Sequence, residues 1–207
     1  MPDPTNLLLF LVAALVLALS PGPGMFYVAA RSLAAGRREG VLSSLGTGVG
    51  GMAHVLAGAL GVSALVLASA ELFTLLKIAG ALYLFWLGWR TFRTAGQAVD
   101  ITPAHASRPF REGMVVEALN PKTAAFFLAF LPQFLSPEAG SMLVQFAMLG
   151  TICVALNTAV DLGVALLAGR LRAGLFDRPA LLRRLRQGSG AAIAALGLGV
   201  LFLRRPA

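Results

Sequence analysis

Apolar runs near or above about 18 residues recur along the chain, separated by short polar intervals. That is the pattern of successive membrane-crossing helices. Six spans follow from it, at 5–34, 42–68, 72–92, 113–135, 142–168 and 188–203. The stretch 93–112, with its Thr, Gln, Pro, His and Ser, is the one long polar interval and reads as a loop between two halves. The predicted organisation is a single all-α membrane domain. It has a first three-helix unit at 1–92, a cytoplasmic loop at 93–112 and a second three-helix unit at 113–207. Three spans per unit is an odd number, so the second unit enters the membrane from the opposite side. If the units are related, they form an inverted repeat.

Two proline-bearing stretches interrupt the apolar pattern at matching places. Ala18-Leu19-Ser20-Pro21 recurs as Ala118-Leu119-Asn120-Pro121, and Phe26-Tyr27 recurs at the same offset as Phe126-Phe127. Each copy falls in the first span of its unit, so helices 1 and 4 are expected to be broken. A proline inside a helix removes a donor and crowds the carbonyl four residues back, at about 3 kcal/mol. Hydrocarbon cannot satisfy the freed groups, so such a break belongs against protein or a wet cavity. Paired broken helices commonly build the midplane site of a transporter. Ser20, Pro21, Gly22, Pro23 and Gly24, with Asn120, Pro121 and Lys122, are therefore candidate substrate-path residues. The plainer reading is a pair of packing kinks.

The spans carry few other polar groups. His54 lies mid-span with Gly46, Gly50 and Gly58 at four-residue spacing, which marks a face pressed on neighbouring helices. It is a candidate proton relay or substrate contact, or else a neutral histidine bonded to a neighbour's carbonyl. Asp161 shares a face with Cys153, Asn157 and Ala165, and an acid within a span is expensive and faces the bundle interior or water. Asn157 joins the candidate path. Asp161, Glu117 and His54 are candidates for proton coupling or for an ion pair with Lys122. Glu117 is also close enough to the predicted cytoplasmic surface to snorkel. A zwitterion would suit this set, with Lys122 facing its carboxylate and an acid facing its ammonium.

Composition agrees with a membrane protein: 57% of residues are hydrophobic and 13% charged, against about a quarter charged in soluble domains. The net charge of +8 raises the question of nucleic acid. Its distribution answers it. Arg31, Arg37 and Arg38 follow the first span. Arg90, Arg93, Arg108 and Arg111 follow the third. Arg170, Arg172, Arg178, Arg183, Arg184 and Arg186 follow the fifth. Alternate loops are basic and so face the cytoplasm, which puts both termini outside and makes a nucleic-acid partner unnecessary. Asp3 and the lack of early Lys or Arg argue against a cleaved signal peptide. The single cysteine, Cys153, forms no internal disulfide, and two histidines, His54 and His105, do not make a metal centre. Phosphate-loop, HExxH and GxSxG motifs are missing, so an enzyme is not expected.

The stretches SPGPGMFYVAARSLAAGRREG, LKIAGALYLFWLGWR and EALNPKTAAFFLAFLPQF, with the glycine-rich second span and its histidine, resemble the LysE/RhtB family of amino-acid exporters over nearly the whole chain. The resemblance implies an inner-membrane protein that exports amino acids or close derivatives on the proton motive force, with no cofactor, and that assembles as a homo-oligomer. By position it carries over Pro21, Gly22, Pro23, Asn120, Pro121 and Lys122. It also carries over Gly46 and His54, and Gly80, Tyr83 and Gly88. Three positions depart. Gly24 stands where the family often has Asn or Asp, Glu117 where an uncharged residue is commoner, and an acid at Asp161 is not part of the pattern. The expected function is secondary export by proton antiport across the bacterial cytoplasmic membrane. The rivals are a passive channel or metal-cation exporter, and a membrane scaffold or embedded enzyme.

Overall fold

A computed structural model describes residues 4–68, 70–97, 108–171 and 178–202. His105 and Arg172 lie outside them. The described chain is helical throughout: α1 (Pro4–Leu19), α2 (Pro23–Ala35), α3 (Arg37–Ala68), α4 (Ala70–Arg93), α5 (Pro109–Ala118), α6 (Pro121–Ala125), α7 (Met142–Leu171) and α8 (Pro179–Phe202). Among the described residues α3, α7 and α8 are long and apolar enough to cross a membrane. So are two bent pairs, α1 with α2 at 46° and α5 with the helix from Pro121 to Phe134 at 40°. The two bends fall at the two predicted proline breaks. The third predicted span is α4, whose 24 residues have the length to cross at about 1.5 Å each. It is not among the helices apolar enough by composition: besides Glu71, Arg90 and Arg93 near its ends it carries Lys77 two turns in, and Arg90 and Arg93 lie over the rings of Trp86 and Trp89. Arginine and tryptophan together are typical of a membrane–water interface.

Three boundaries differ from the sequence reading, each for a local reason. Helix α8 begins at Pro179, nine residues before the predicted 188, because proline at the first helical position is pre-set in φ and the following Leu and Arg are good helix formers. Arg183, Arg184 and Arg186 thus ride on α8 rather than in a loop. Arg186 donates to the carbonyls of Ala95 and Gln97 just past the end of α4. Pro109 likewise opens α5 four residues before the predicted 113. Arg31, counted with the first basic loop, is buried within α2 and paired with Glu39 at 2.7 Å. Past α6 the helix widens to a π turn at Phe126–Phe130 and tightens to a 3₁₀ turn at Leu131–Phe134. Pro132 explains the change, since it has no N–H to give the carbonyl four residues back.

The core gathers round these turns. Phe126, Phe127, Phe130 and Phe134 pack with Phe10 of α1 and Phe146 of α7. Rings of Phe10 and Phe134 meet edge-on at 5.5 Å, and Phe126 and Phe130 stack at 5.0 Å. Elsewhere glycine brings backbones together. A Cβ on Gly46 or Gly50 of α3 would strike the carbonyls of Phe110 or Met114 on α5. The seam between α4 and α8 is built the same way, with Gly88 against Gly190 and Ala194. Lipid is as apolar as a leucine side chain, so close backbone packing of this kind carries helix association in a membrane.

Gly61 on α3 has open space where its Cβ would stand, which makes it the internal control for Gly50. Gly50→Ala should cost about 1–3 kcal/mol through overpacking against backbone, whereas Gly61→Ala should be neutral or mildly stabilising. Thermal unfolding of the two variants in detergent checks this, with a lowered Tm expected for Gly50→Ala alone.

Candidate functional site

The two matched prolines each free one carbonyl. Proline at 21 cannot donate to Leu17, and proline at 121 cannot donate to Glu117. The ammonium of Lys122 takes up the first vacancy. Its Nζ donates to the Leu17 carbonyl at 3.1 Å and to the Ser20 carbonyl at 2.9 Å. At the second, His54 Nε2 lies 2.9 Å from the Glu117 carbonyl, so this nitrogen carries the proton and donates. The Asn120 N–H also donates to that carbonyl, at 3.0 Å. The lysine of the second break thus caps the first. A cation at the C-terminal end of α1 also meets the negative end of that helix's dipole.

Glycines make room for this arrangement. A Cβ on Gly22 would stand 3.2 Å from Lys122 Nζ, and one on Gly24 would stand 2.6 Å from Glu117 Oε2. Backbone at Gly22 is extended, with φ −145°, so space rather than conformation calls for glycine there. Gly24 lies in the first turn of α2, where the dipole favours an anion. Glu117 therefore does not snorkel. It is 2% exposed, held at the first turn of α2 by its neighbours. Thr123 donates to its Oε1 at 2.6 Å and Asn120 Nδ2 donates to its Oε2 at 2.9 Å. The Asn120 Oδ1 accepts from the Lys122 N–H at 3.0 Å, which fixes the amide's orientation and caps α6. Both Glu117 oxygens are thus engaged by hydrogen bonds.

Asp161 stands one hydroxyl away. Thr47 Oγ1 lies 3.0 Å from Asp161 Oδ2 and 2.8 Å from the Ser44 carbonyl. A threonine hydroxyl has one hydrogen, so it serves the two acceptors in turn. When Asp161 is ionised the hydrogen goes to it. When Asp161 is protonated it can donate to Thr47, whose hydrogen then goes to Ser44. Neither Asp161 nor Glu117 comes within 4.0 Å of Lys122 Nζ, so the three buried charges are held by hydrogen bonds and not by a direct ion pair.

Between the breaks and the long helices α3 and α7 lies a small buried cavity. Leu17, Glu117, Thr123 and Phe127 line it from the broken helices, Thr47 and Gly51 from α3, and Cys153, Val154, Asn157 and Thr158 from α7. It leaves ≈ 10 Å³ for water centres, about one water's worth. The structure thus brings Asn157, Glu117 and both breaks to one place, with Asp161 behind Thr47 and His54 behind the second break. Ser20 is buried nearby but spends its hydroxyl on the Val16 carbonyl at 2.7 Å. Pro23 and Pro121 turn outward and are exposed. Sequence reasoning missed Thr47, Thr123 and Thr158. Thr47 had a legible signal, since it sits seven residues before His54 on the glycine-bearing face. Among the described residues no three His, Cys, Asp or Glu gather in a way that could hold a metal ion.

The LysE type translocator family model matches residues 15–204. A homoserine/homoserine lactone efflux protein of Salmonella typhimurium is 33% identical over 192 residues, covering 91% of this chain and 92% of the relative. An uncharacterised membrane protein of Vibrio cholerae is 31% identical over 195 residues, covering 92% and 94%. A leucine efflux protein of Klebsiella pneumoniae is 30% identical over 149 residues, 70% of each chain. No solved structure matches the chain. With a translocator model spanning nearly its full length and efflux proteins among its relatives, the chain is a multi-pass membrane transporter and not an enzyme, and it belongs to the LysE type translocator family.

Proposed function

We propose that this chain exports an amino acid or a close derivative, homoserine- or leucine-like in size, across the bacterial cytoplasmic membrane in exchange for protons. The observation that carries the reading is the meeting of the two broken helices beside a small cavity that Glu117, Thr47, Thr123, Asn157 and Thr158 help to line, with Lys122 of one break seated on the carbonyls of the other. The cavity holds about one water, far less than an amino acid needs. Substrate therefore enters only when the breaks separate, and alternating separation on the two sides is the transport cycle. Both termini lie outside the cell in this arrangement.

An inverted repeat of 1–92 and 113–207 is part of the proposal. The helix pairing supports it. α3 packs on α7 and α4 on α8, each with its own counterpart, while α3 against α5 is matched by α7 against α1. Exchanging the two units preserves these pairs, although among the described residues α4 also packs on α3 and on the segment past α6 without a like contact of α8 on α7 or α2.

Asp161 is the proton carrier of the proposed cycle, and Thr47 is its link to the cavity. An intramembrane acid that is hydrogen-bonded to a single switchable hydroxyl can gain and lose a proton without leaving an unmet donor. In proteoliposomes, Asp161→Asn should reduce uphill, proton-driven efflux to the level of protein-free vesicles. Substrate counterflow, which needs no net proton movement, should survive. Unimpaired uphill efflux in this variant removes Asp161 from the mechanism.

A further inference from the structure

The two broken helices are joined at two levels. In the orientation proposed above, α1 and the helix from Pro121 to Phe134 are their outer halves, and α2 and α5 their inner halves. Lys122 on the Leu17 and Ser20 carbonyls and the edge-on rings of Phe10 and Phe134 join the outer halves. The inner halves have a link of their own. The Tyr27 hydroxyl of α2 lies 3.1 Å from the Pro109 carbonyl and 3.1 Å from Glu112 Oε2, both in the first turn of α5. It has one hydrogen to share between them. Tyr27 stands three residues past Gly24, which faces Glu117 of the cavity wall. The link therefore lies about 5 Å along α2 from that point, on the way to the basic loop at Arg37 and Arg38. One turn further, Arg31 pairs with Glu39 at 2.7 Å and ties the end of α2 to α3. With α2 anchored on α3, Tyr27 is its hydrogen-bonded reach to α5. The matching position in the second unit is Phe127, which has no hydroxyl and packs against Phe126 and Phe146. The two closures are thus chemically unequal.

We infer that Tyr27 is the latch of a cytoplasmic gate: its hydroxyl holds α2 against the start of α5, and letting go of α5 opens the cavity to the cytoplasm while the outer halves stay closed. Tyr27 is a positioning residue in this role, acting through the two inner halves and not on the substrate. The inference rests on the transport reading above and assigns a residue that reading does not use. A latch of one shared hydrogen suits a gate that must open often. A net hydrogen bond is worth about 1 kcal/mol, enough to favour the closed state and little enough for thermal opening.

The chain carries its own reporter. Cys153 is its one cysteine, lines the cavity and is 2% exposed. The test is the rate at which a membrane-impermeant, charged methanethiosulfonate modifies Cys153 in the full-length protein, read as a mass shift after purification. Inside-out vesicles offer the reagent to the cytoplasmic face and right-side-out vesicles to the outer face. Wild type should react slowly from both. Tyr27→Phe, which removes only the hydroxyl, should react about tenfold faster from the cytoplasmic face and at the wild-type rate from the outer face. Glu112→Ala, which removes one of the two acceptors, should shift the same way by less, and it serves as the probe if Tyr27→Phe does not fold. An unchanged cytoplasmic rate in a variant with wild-type melting behaviour overturns the inference and leaves the transport reading standing. So does equal acceleration from both faces, which is general loosening, or acceleration from the outer face alone. Absence of leucine and homoserine counterflow by the wild-type protein in proteoliposomes overturns the transport reading and the inference with it.

Discussion

The two breaks turn on carbonyl groups that proline deprives of their regular helical donor inside a membrane. An unpaired carbonyl in hydrocarbon costs several kcal/mol. Pro21 and Pro121 each remove one helical donor; the Ser20 and Asn120 N–H groups still reach the Leu17 and Glu117 carbonyls at 3.2 and 3.0 Å, and side chains from elsewhere in the bundle supply a second donor, Lys122 for Leu17 and His54 for Glu117. Because Lys122 belongs to the second break, the answer to the first fixes the two breaks against one another. The donor that would have been local in an ordinary helix has become a tertiary contact between helices 105 residues apart in sequence.

That contact sets terms for its surroundings. A side chain at position 22 would crowd the lysine that reaches the end of α1, and one at position 24 would displace the carboxylate that sits at the first turn of α2. The glycine seams of α3 with α5 and of α4 with α8 serve the same end at larger scale. They bring backbones close enough for His54 to reach Glu117 and for Arg186 to reach the end of α4. A site assembled this way is tight, with room for about one water. The same hydrogen bonds that stabilise it are the ones a transport cycle has to exchange, and a small cavity bounded by replaceable contacts is well suited to that.

Much of this was legible in the sequence, and the limits have physical causes. Long apolar runs and alternating basic loops locate helices reliably, because burial in lipid leaves little freedom in length or charge placement. The two breaks were visible because proline chemistry is local. Helix starts at Pro109 and Pro179 were set too late, since polar first turns that project beyond the membrane do not read as apolar pattern. The identity of partners was out of reach. Lys122 looked like a free cation for a carboxylate, and Glu117 like a residue near the surface. Their places are set by which helix lies opposite, and that depends on the whole packing. Thr123 and Thr158 gave almost no signal, because a hydroxyl is cheap in a span; Thr47 was legible by its place on the glycine-bearing face, but its role appears only with Asp161 beside it.

The central claim is that the two breaks hold each other in the closed state and part during transport. Leu19 and Leu119 are exposed, equivalent residues at the two breaks. Cys153 is buried and would not compete for a thiol-directed label. Spin labels on cysteines placed at 19 and 119 would therefore report the separation directly, by pulsed electron resonance in proteoliposomes. The account predicts one narrow distance without substrate and a second, displaced population when substrate and a proton gradient are supplied together. A single unchanged distance in vesicles that are demonstrably transporting would contradict it.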